Sequence, residues 1–279
     1  LHPLLHQNVS DLNEQKFITT FTGKEFFLAD HIVGVEKILP GVAQIEMIRE
    51  AGERSIHMPV TSIKNLNWIR PIRVREKPID VFISLSPSDE DVDFKIYTQE
   101  NGSEIIYSRG KLNTNNIKIN VKYDISALIE RLSSVKNKET CYSLLKEKEL
   151  NLGESYKGVK RIYYDSNEAL SEIELPKEEG FVFTPGILDS CLQSCLLWFL
   201  FRENQGLAIP YSVKEIFIYG TLSKKLWCYS RKNRNKEHEN QLEKYDIDIL
   251  NEEGEVVISI KEFFFFPLNE LSKSICFNL

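Results

Sequence analysis

The chain has 279 residues, 42% of them hydrophobic, and its 35 Lys and Arg against 41 Asp and Glu give a formal net charge of -6. That length and apolar content suit a buried core of one large domain or two ordinary ones and exclude a disordered chain. The acidic balance argues against nucleic acid or an anionic membrane as a partner, because both attract basic surfaces.

The chain opens on Leu1 with neither a basic n-region nor an apolar h-region, which predicts a soluble, cytoplasmic domain excised from something longer. The first informative run, "LADHIVGVEKILPGVAQIEM" at 28–47, sets His31 in an apolar segment nine positions ahead of Pro40-Gly41. An apolar pattern of helical period starts there, and Pro-Gly at its mouth marks a helix start. A lone histidine in such a run is ordinarily a packing residue, so a chemical role needs support from elsewhere in the chain. Strand-like segments with period-2 alternation follow, the last two joined through Asn101-Gly102, a hairpin signal.

Residues 113–138 are rich in lysine and asparagine, with one apolar patch at 125–132, and read as a joint. Beyond it the pattern repeats. "ILPGVAQIEMIREAG" is answered by "FTPGILDSCLQSCLLWFL", with Pro40 and Pro185 lying 145 positions apart. "TSIKNLNWIRPI" from Thr61 matches "YSVKEIFIYGTL" from Tyr211 at an offset of 150, and the hairpin from Phe94 matches the one from Tyr245, which turns at Glu253-Gly254, at 151. Three segments in one order at nearly one offset predict a duplicated unit. Consecutive strands after one helix favour an antiparallel sheet wrapped on that helix, since parallel strands need crossovers. The fold class is α+β.

In the second helical run the polar residues Asp189, Ser190, Gln193 and Ser194 form one narrow stripe on an apolar helix, which also breaks the run at 187–201 too often for a membrane span. Asp189 and Gln193 share a face, and a glutamine one turn along can hydrogen-bond a carboxyl that is costly to bury alone. The plainer alternative is a first-turn acid favoured by the helix dipole. Two halves meeting symmetrically would bring His31, placed just before the first helix, to Asp189, placed in the first turn of the second.

These residues carry a resemblance to the dehydratase domain of modular polyketide synthases, a double hotdog in which each repeat is a long helix wrapped by an antiparallel sheet. The resemblance runs from "HPLL" at 2–5 through "AIPYSVKEIFIYG" at 208–220. Of the family's His-x-x-x-Gly-x-x-x-x-Pro, His31 and Pro40 match, while Val35 stands at the glycine position and Gly34 lies one residue early. The second signature, Asp-x-x-x-Gln/His, is intact from Asp189 to Gln193, although the usual His-Pro before it reads Thr184-Pro185. The third, Tyr-Gly-Pro-x-Phe, survives weakly in "LGESY", where Leu152 replaces the tyrosine and Glu154 the proline.

The resemblance implies an N-terminal hotdog over 1–115, a linker over 116–138 and a C-terminal hotdog over 139–279. It implies elimination of water from a β-hydroxyacyl thioester carried on the phosphopantetheine arm of an acyl carrier protein, with no cofactor of the domain's own. His31 would be the base that takes the α-proton, as imidazole titrates near ~6.5. Asp189 would be the acid, kept protonated by desolvation in an apolar tunnel. Gln193 would orient the carboxyl or the hydroxyl, and the Gly41 backbone N–H would meet the charge that develops on the thioester oxygen. The implied partners are the carrier protein, neighbouring synthase domains and a second copy in a homodimer. Two rival readings are an enoyl isomerase that shifts a double bond from α,β to β,γ, and an inactive module kept for carrier binding.

The remaining features read as structural. "RKNRNKEHEN" at 231–240 is a solvated loop, "EFFFFP" at 262–267 a buried final strand, and Tyr156 either lends a hydroxyl or packs. His2, His6, His57 and His238 show no acidic or nucleophilic partner in the sequence, and the cysteines at 141, 191, 195, 228 and 276 form neither a C-x-x-C pair nor a zinc spacing, which suits a reducing compartment. No metal-ligand cluster emerges.

Overall fold

The computed structural model describes residues 2–12, 14–115, 119–203, 207–233 and 243–267. Thirteen strands form one continuous sheet, antiparallel at every pairing. From one edge the first half contributes Gln7–Asn8, Gln15–Phe21, Ile79–Ser88, Asp91–Glu100, Ser103–Asn113 and Ser62–Trp68. The second half continues with Ala208–Ile218, Val256–Pro267, Lys244–Leu250, Lys225–Lys232, Glu168–Glu174, Val159–Tyr164 and Ser134–Asn137. The double hotdog therefore has its seam where Ser62–Trp68 meets Ala208–Ile218.

The register at that seam carries the repeat. Ser62 pairs with Phe217 and Asn67 with Ser212, and moving either pair by the sequence offset of 150 produces the other. A pairing that maps onto itself under the repeat is that of two related units facing each other across a local two-fold axis.

Each half wraps one long helix. Gly41–Ile56 buries Val42, Ala43, Ile45, Met47 and Ile48 on its own strands, and Pro185–Glu203 buries Ile187, Leu188, Leu192, Leu196 and Leu197 on strands of the second half. A helix apolar on nearly all sides must be surrounded, and the sheet does the surrounding. The buried thiols of Cys141, Cys191, Cys195 and Cys228 are free and pack as small apolar groups, while Cys276 lies outside the described residues. Among the described residues no helix is long and apolar enough to cross a membrane.

The segment between the halves is built rather than bare. Asp124 caps a helix at Ile125–Arg131 by accepting from Ala127 N–H at 3.1 Å, and Leu128 and Leu132 pack with Leu170, Tyr229 and Leu250. Ser134–Asn137 pairs with Val159–Tyr164 at the far edge of the sheet.

His2 corrects the expectation of isolated histidines. Its Nδ1 accepts from Leu4 N–H at 3.1 Å, and its Nε2 faces Glu46 Oε1 at 3.3 Å. Glu46 is fully buried and also accepts from Arg49 Nε at 2.7 Å, from Arg49 Nη2 at 3.0 Å and from Val182 N–H at 2.9 Å. Burial pushes the Glu46 pKa up, but the bonds from His2 and Arg49 and the guanidinium charge outweigh it, so the net shift is downward. The partners lie 44 positions apart, and no local pattern signals such a pair. His238 lies outside the described residues, as do residues 234–240 of the basic run.

Candidate active site

His31 opens the strand His31–Val33 in a second, four-stranded sheet ordered Leu150–Leu152, His31–Val33, Glu36–Ile38 and Arg73–Val74. Its ring is buried, and Nδ1 lies 2.9 Å from the Ile38 carbonyl oxygen. A carbonyl only accepts, so Nδ1 carries the proton and the neutral ring's lone pair is on Nε2, the atom left to act as a base.

Residues from the second half hold this strand. Leu152 pairs with His31, and Gly153 N–H donates to the Asp30 carbonyl at 2.8 Å. The Asp30 carboxylate then accepts from Ser155 N–H at 3.2 Å and Ser155 Oγ at 2.7 Å, clasping the short 3-10 turn at Glu154–Tyr156. A Cβ on Gly153 would sit 2.1 Å from Asp30 Cγ, so only glycine leaves the Asp30 carboxylate where it is.

Asp189 is the fifth residue of Pro185–Glu203, just past the first turn in which the sequence spacing places it. The helix begins at Pro185 and its first turn has no acid, so the dipole explanation loses force. Asp189 Oδ2 accepts from Gln193 Nε2 at 2.6 Å. Burial pushes its pKa up, and the charge of His31 and the Gln193 bond only partly offset this, leaving a net upward shift. A carboxyl biased toward its protonated form therefore lies within electrostatic reach of the imidazole.

Tyr156 joins the two. Its ring centroid is 5.3 Å from that of His31, and its backbone carbonyl accepts from Gln193 Nε2 at 3.0 Å. The Tyr156 hydroxyl donates to the Phe27 carbonyl at 3.0 Å, so it braces the fold instead of supplying a reacting group. Tyr142, which sequence reasoning passes over, donates from its hydroxyl to Gln193 Oε1 at 3.1 Å and accepts from Val159 N–H at 2.9 Å. Gln193 is thereby fixed at both ends, with its amide nitrogen toward Asp189. The polar stripe divides in function. Ser190 Oγ donates to the Gly186 carbonyl at 2.7 Å, and Ser194 Oγ to the Ser190 carbonyl at 3.0 Å, so both serines serve the backbone.

Gly41 is the first residue of Gly41–Ile56, with Pro40 before it, and its N–H is among those a helix leaves without an internal acceptor. His31, Gly41, Asp189 and Gln193 thus come from three elements of two half-folds. Two family profiles match this chain, one described as polyketide synthase dehydratase N-terminal domain over residues 124–274, the other as polyketide synthase dehydratase domain over residues 2–99. The chain belongs to the polyketide synthase dehydratase family.

The chain is 33% identical over 94% of its length to polyketide synthase PksM of Bacillus subtilis (strain 168), of which it spans 7%. It is 30% identical to a trans-AT polyketide synthase dehydratase domain of Brevibacillus brevis, with a TM-score of 0.87 over 96% of this chain and 99% of that one. The dehydratase domain of RzxB from Pseudomonas fluorescens shares the fold at 23% identity and a TM-score of 0.84, over 95% of this chain and 99% of that one.

Two departures from the dehydratase signatures have structural explanations. The Val33 to Glu36 hairpin turns at Gly34, which takes φ +60, while Val35 is 95% exposed with no positive φ. The left-handed position of this turn is therefore Gly34, and the side chain at 35 meets nothing that constrains it. Glu154 opens the 3-10 turn with its side chain 80% exposed, a first-turn position that takes proline and acids alike. Leu152 has no hydroxyl to offer, and its half-buried side chain packs on the core.

Proposed function

We propose that this dehydratase domain eliminates water from a β-hydroxyacyl thioester carried on the phosphopantetheine arm of an acyl carrier protein, within a larger synthase. The observation that carries the reading is the pairing of an imidazole with a free Nε2 and a carboxyl whose pKa burial raises, one from each half. His31 Nε2 takes the α-proton, and the C–H electron pair moves into the Cα–carbonyl bond as charge gathers on the thioester oxygen. Gly41 N–H meets that charge. The pair then forms the Cα=Cβ bond as the β C–O bond breaks, Asp189 gives its proton to the departing hydroxyl, and water leaves. Gln193, held by Tyr142, keeps the carboxyl aimed.

A base, an acid and backbone dipoles suffice, so the proposed chemistry calls on no cofactor. The proposed partners are the carrier protein, adjoining synthase domains and a second copy of the domain, in the cytoplasm. The isomerase reading needs only one proton carrier and leaves a protonated Asp189 without a task. Mass measurement of a carrier protein loaded with a 3-hydroxyacyl chain tests the reading: loss of one water is expected. An unchanged 3-hydroxyacyl mass, together with conversion of an α,β-enoyl chain to its β,γ isomer, would replace dehydration with isomerisation.

A further inference from the structure

Trp68 ends the strand Ser62–Trp68 at the seam, and a bulge decides where its indole points. Asn65 takes φ +51 and the pairing with Ser103–Asn113 shifts between Lys64 and Asn67. Inward side chains therefore run Ile63, Leu66, Trp68, the first step being three residues instead of the two of regular alternation. Without the bulge, alternation from Ile63 would have turned Asn65 and Asn67 inward. Bulges commonly re-aim a side chain beside a functional site.

The re-aimed indole lies against the start of Gly41–Ile56. A Cβ on Gly41 would fall 3.0 Å from Trp68 Nε1 and 3.0 Å from Cε2, so the two groups are in close contact only because residue 41 has no side chain. Trp68 is 7% exposed, and its Nε1–H is buried with no hydrogen-bond partner. Trp198 shows the usual arrangement, with its Nε1–H donating to the Asp165 carbonyl at 2.8 Å. Buried indole donors ordinarily find acceptors, so an orphan beside an open helix N-terminus calls for an explanation.

Backbone geometry puts a Cβ position about 2.5 Å from its own nitrogen, so Gly41 N and Trp68 Nε1 are no more than about 5.5 Å apart. One oxygen at about 2.9 Å from each nitrogen fits between donors so spaced. We propose that Trp68 Nε1–H is a second donor to the substrate's thioester oxygen, completing with Gly41 N–H the pocket in which charge develops. The inference rests on the dehydratase reading above. It makes Trp68 a catalytic residue, and it gives the glycine at 41 a second purpose, since any side chain there would displace the indole.

Two measurements test it. In Trp68→Phe the ring keeps most of its packing and loses only the donor, and kcat for a 3-hydroxyacyl carrier protein should fall roughly 10²-fold, the usual effect of losing one such donor, with KM little changed. Wild-type kcat in that variant would overturn the assignment. Separately, His31→Ala protein with 15N-labelled indoles is titrated with 3-hydroxybutyryl pantetheine, the Trp68 signal being identified by its nuclear Overhauser contact with the Gly41 Hα protons, which lie beside the indole nitrogen. A downfield shift of that indole proton, with the Trp198 signal unmoved, is expected. A Trp68 signal unmoved at saturating ligand would overturn the proposal even if Trp68→Phe fails to fold. Failure of wild-type protein to dehydrate at all would instead overturn the dehydratase reading, and the indole shift is read independently of turnover.

Discussion

Substituting Gly153 by Ala tests the clasp that holds the His31 strand against the second half. The new Cβ would lie 2.1 Å from Asp30 Cγ and 2.2 Å from Oδ1, so the carboxylate must swing away or the 152–156 segment must lift. Either movement breaks the bonds from Ser155 N–H and Ser155 Oγ to Asp30 Oδ2. Hydrogen bonds to a charged acceptor contribute about 1.5–3 kcal/mol each. Both are only partly buried, so about 1 kcal/mol apiece is the better figure, or ~2 kcal/mol for the pair. For a chain of this size that lowers Tm by about 4–8 °C. Activity should fall further than stability, because His31 pairs directly with Leu152 and a displacement near 1 Å costs up to about 10²-fold. Ser155→Ala removes only the hydroxyl bond and should give about half the loss in Tm, as read by thermal melts beside water-loss kinetics. Wild-type Tm and turnover in Gly153→Ala would refute the clasp.

Other substitutions separate the remaining roles. Gln193→Leu should slow dehydration less than Asp189→Ala, because it removes the proposed positioning group and leaves the proposed proton donor; equally small losses in initial-rate assays would make the stripe structural. Asp189→Asn should raise Tm relative to wild type, and more at pH 8 than at pH 4. The folded carboxyl has its pKa raised mainly by burial, so its cost to folding is absent below the unfolded value, near ~3.9, and complete above the raised folded value. A Tm difference that is flat or larger at low pH would contradict that sign. Val35→Gly should leave turnover unchanged and shift Tm by no more than a few degrees, since Val35 is 95% exposed and Gly34 supplies the turn; a large gain in activity would show that the glycine at 35 matters to the chemistry.

What was legible in the sequence was periodic or duplicated. The Pro-Gly helix starts and the Asn101-Gly102 turn are local signals, and the offset of 150 reappears as the seam register from Ser62 to Phe217. The proposed pairing of His31 with Asp189 is legible only through that symmetry, because no local feature links residues so far apart. Long-range polar contacts left no trace. Tyr142 reaches Gln193 across 51 positions and His2 reaches Glu46 across 44. Each depends on how the two helices are wrapped, which no window of sequence contains. Asp30 could have been noticed, as it immediately precedes His31, but its partner Ser155 lies 125 positions away. The bulge at Asn65 was hidden for another reason: in "SIKNLNW" an asparagine on the exposed face and one in a left-handed bulge look alike.

The central claim is that each half supplies one member of an acid–base pair, His31 the base and Asp189 the acid. The most direct measurement is water loss from a 3-hydroxyacyl carrier protein, followed by intact mass, for wild type, His31→Ala and Asp189→Asn, each confirmed as folded by its melting curve. The account predicts that wild type removes one water and that both variants melt cooperatively yet turn over roughly 10²–10⁴-fold more slowly. Dehydration near the wild-type rate by either folded variant would contradict it.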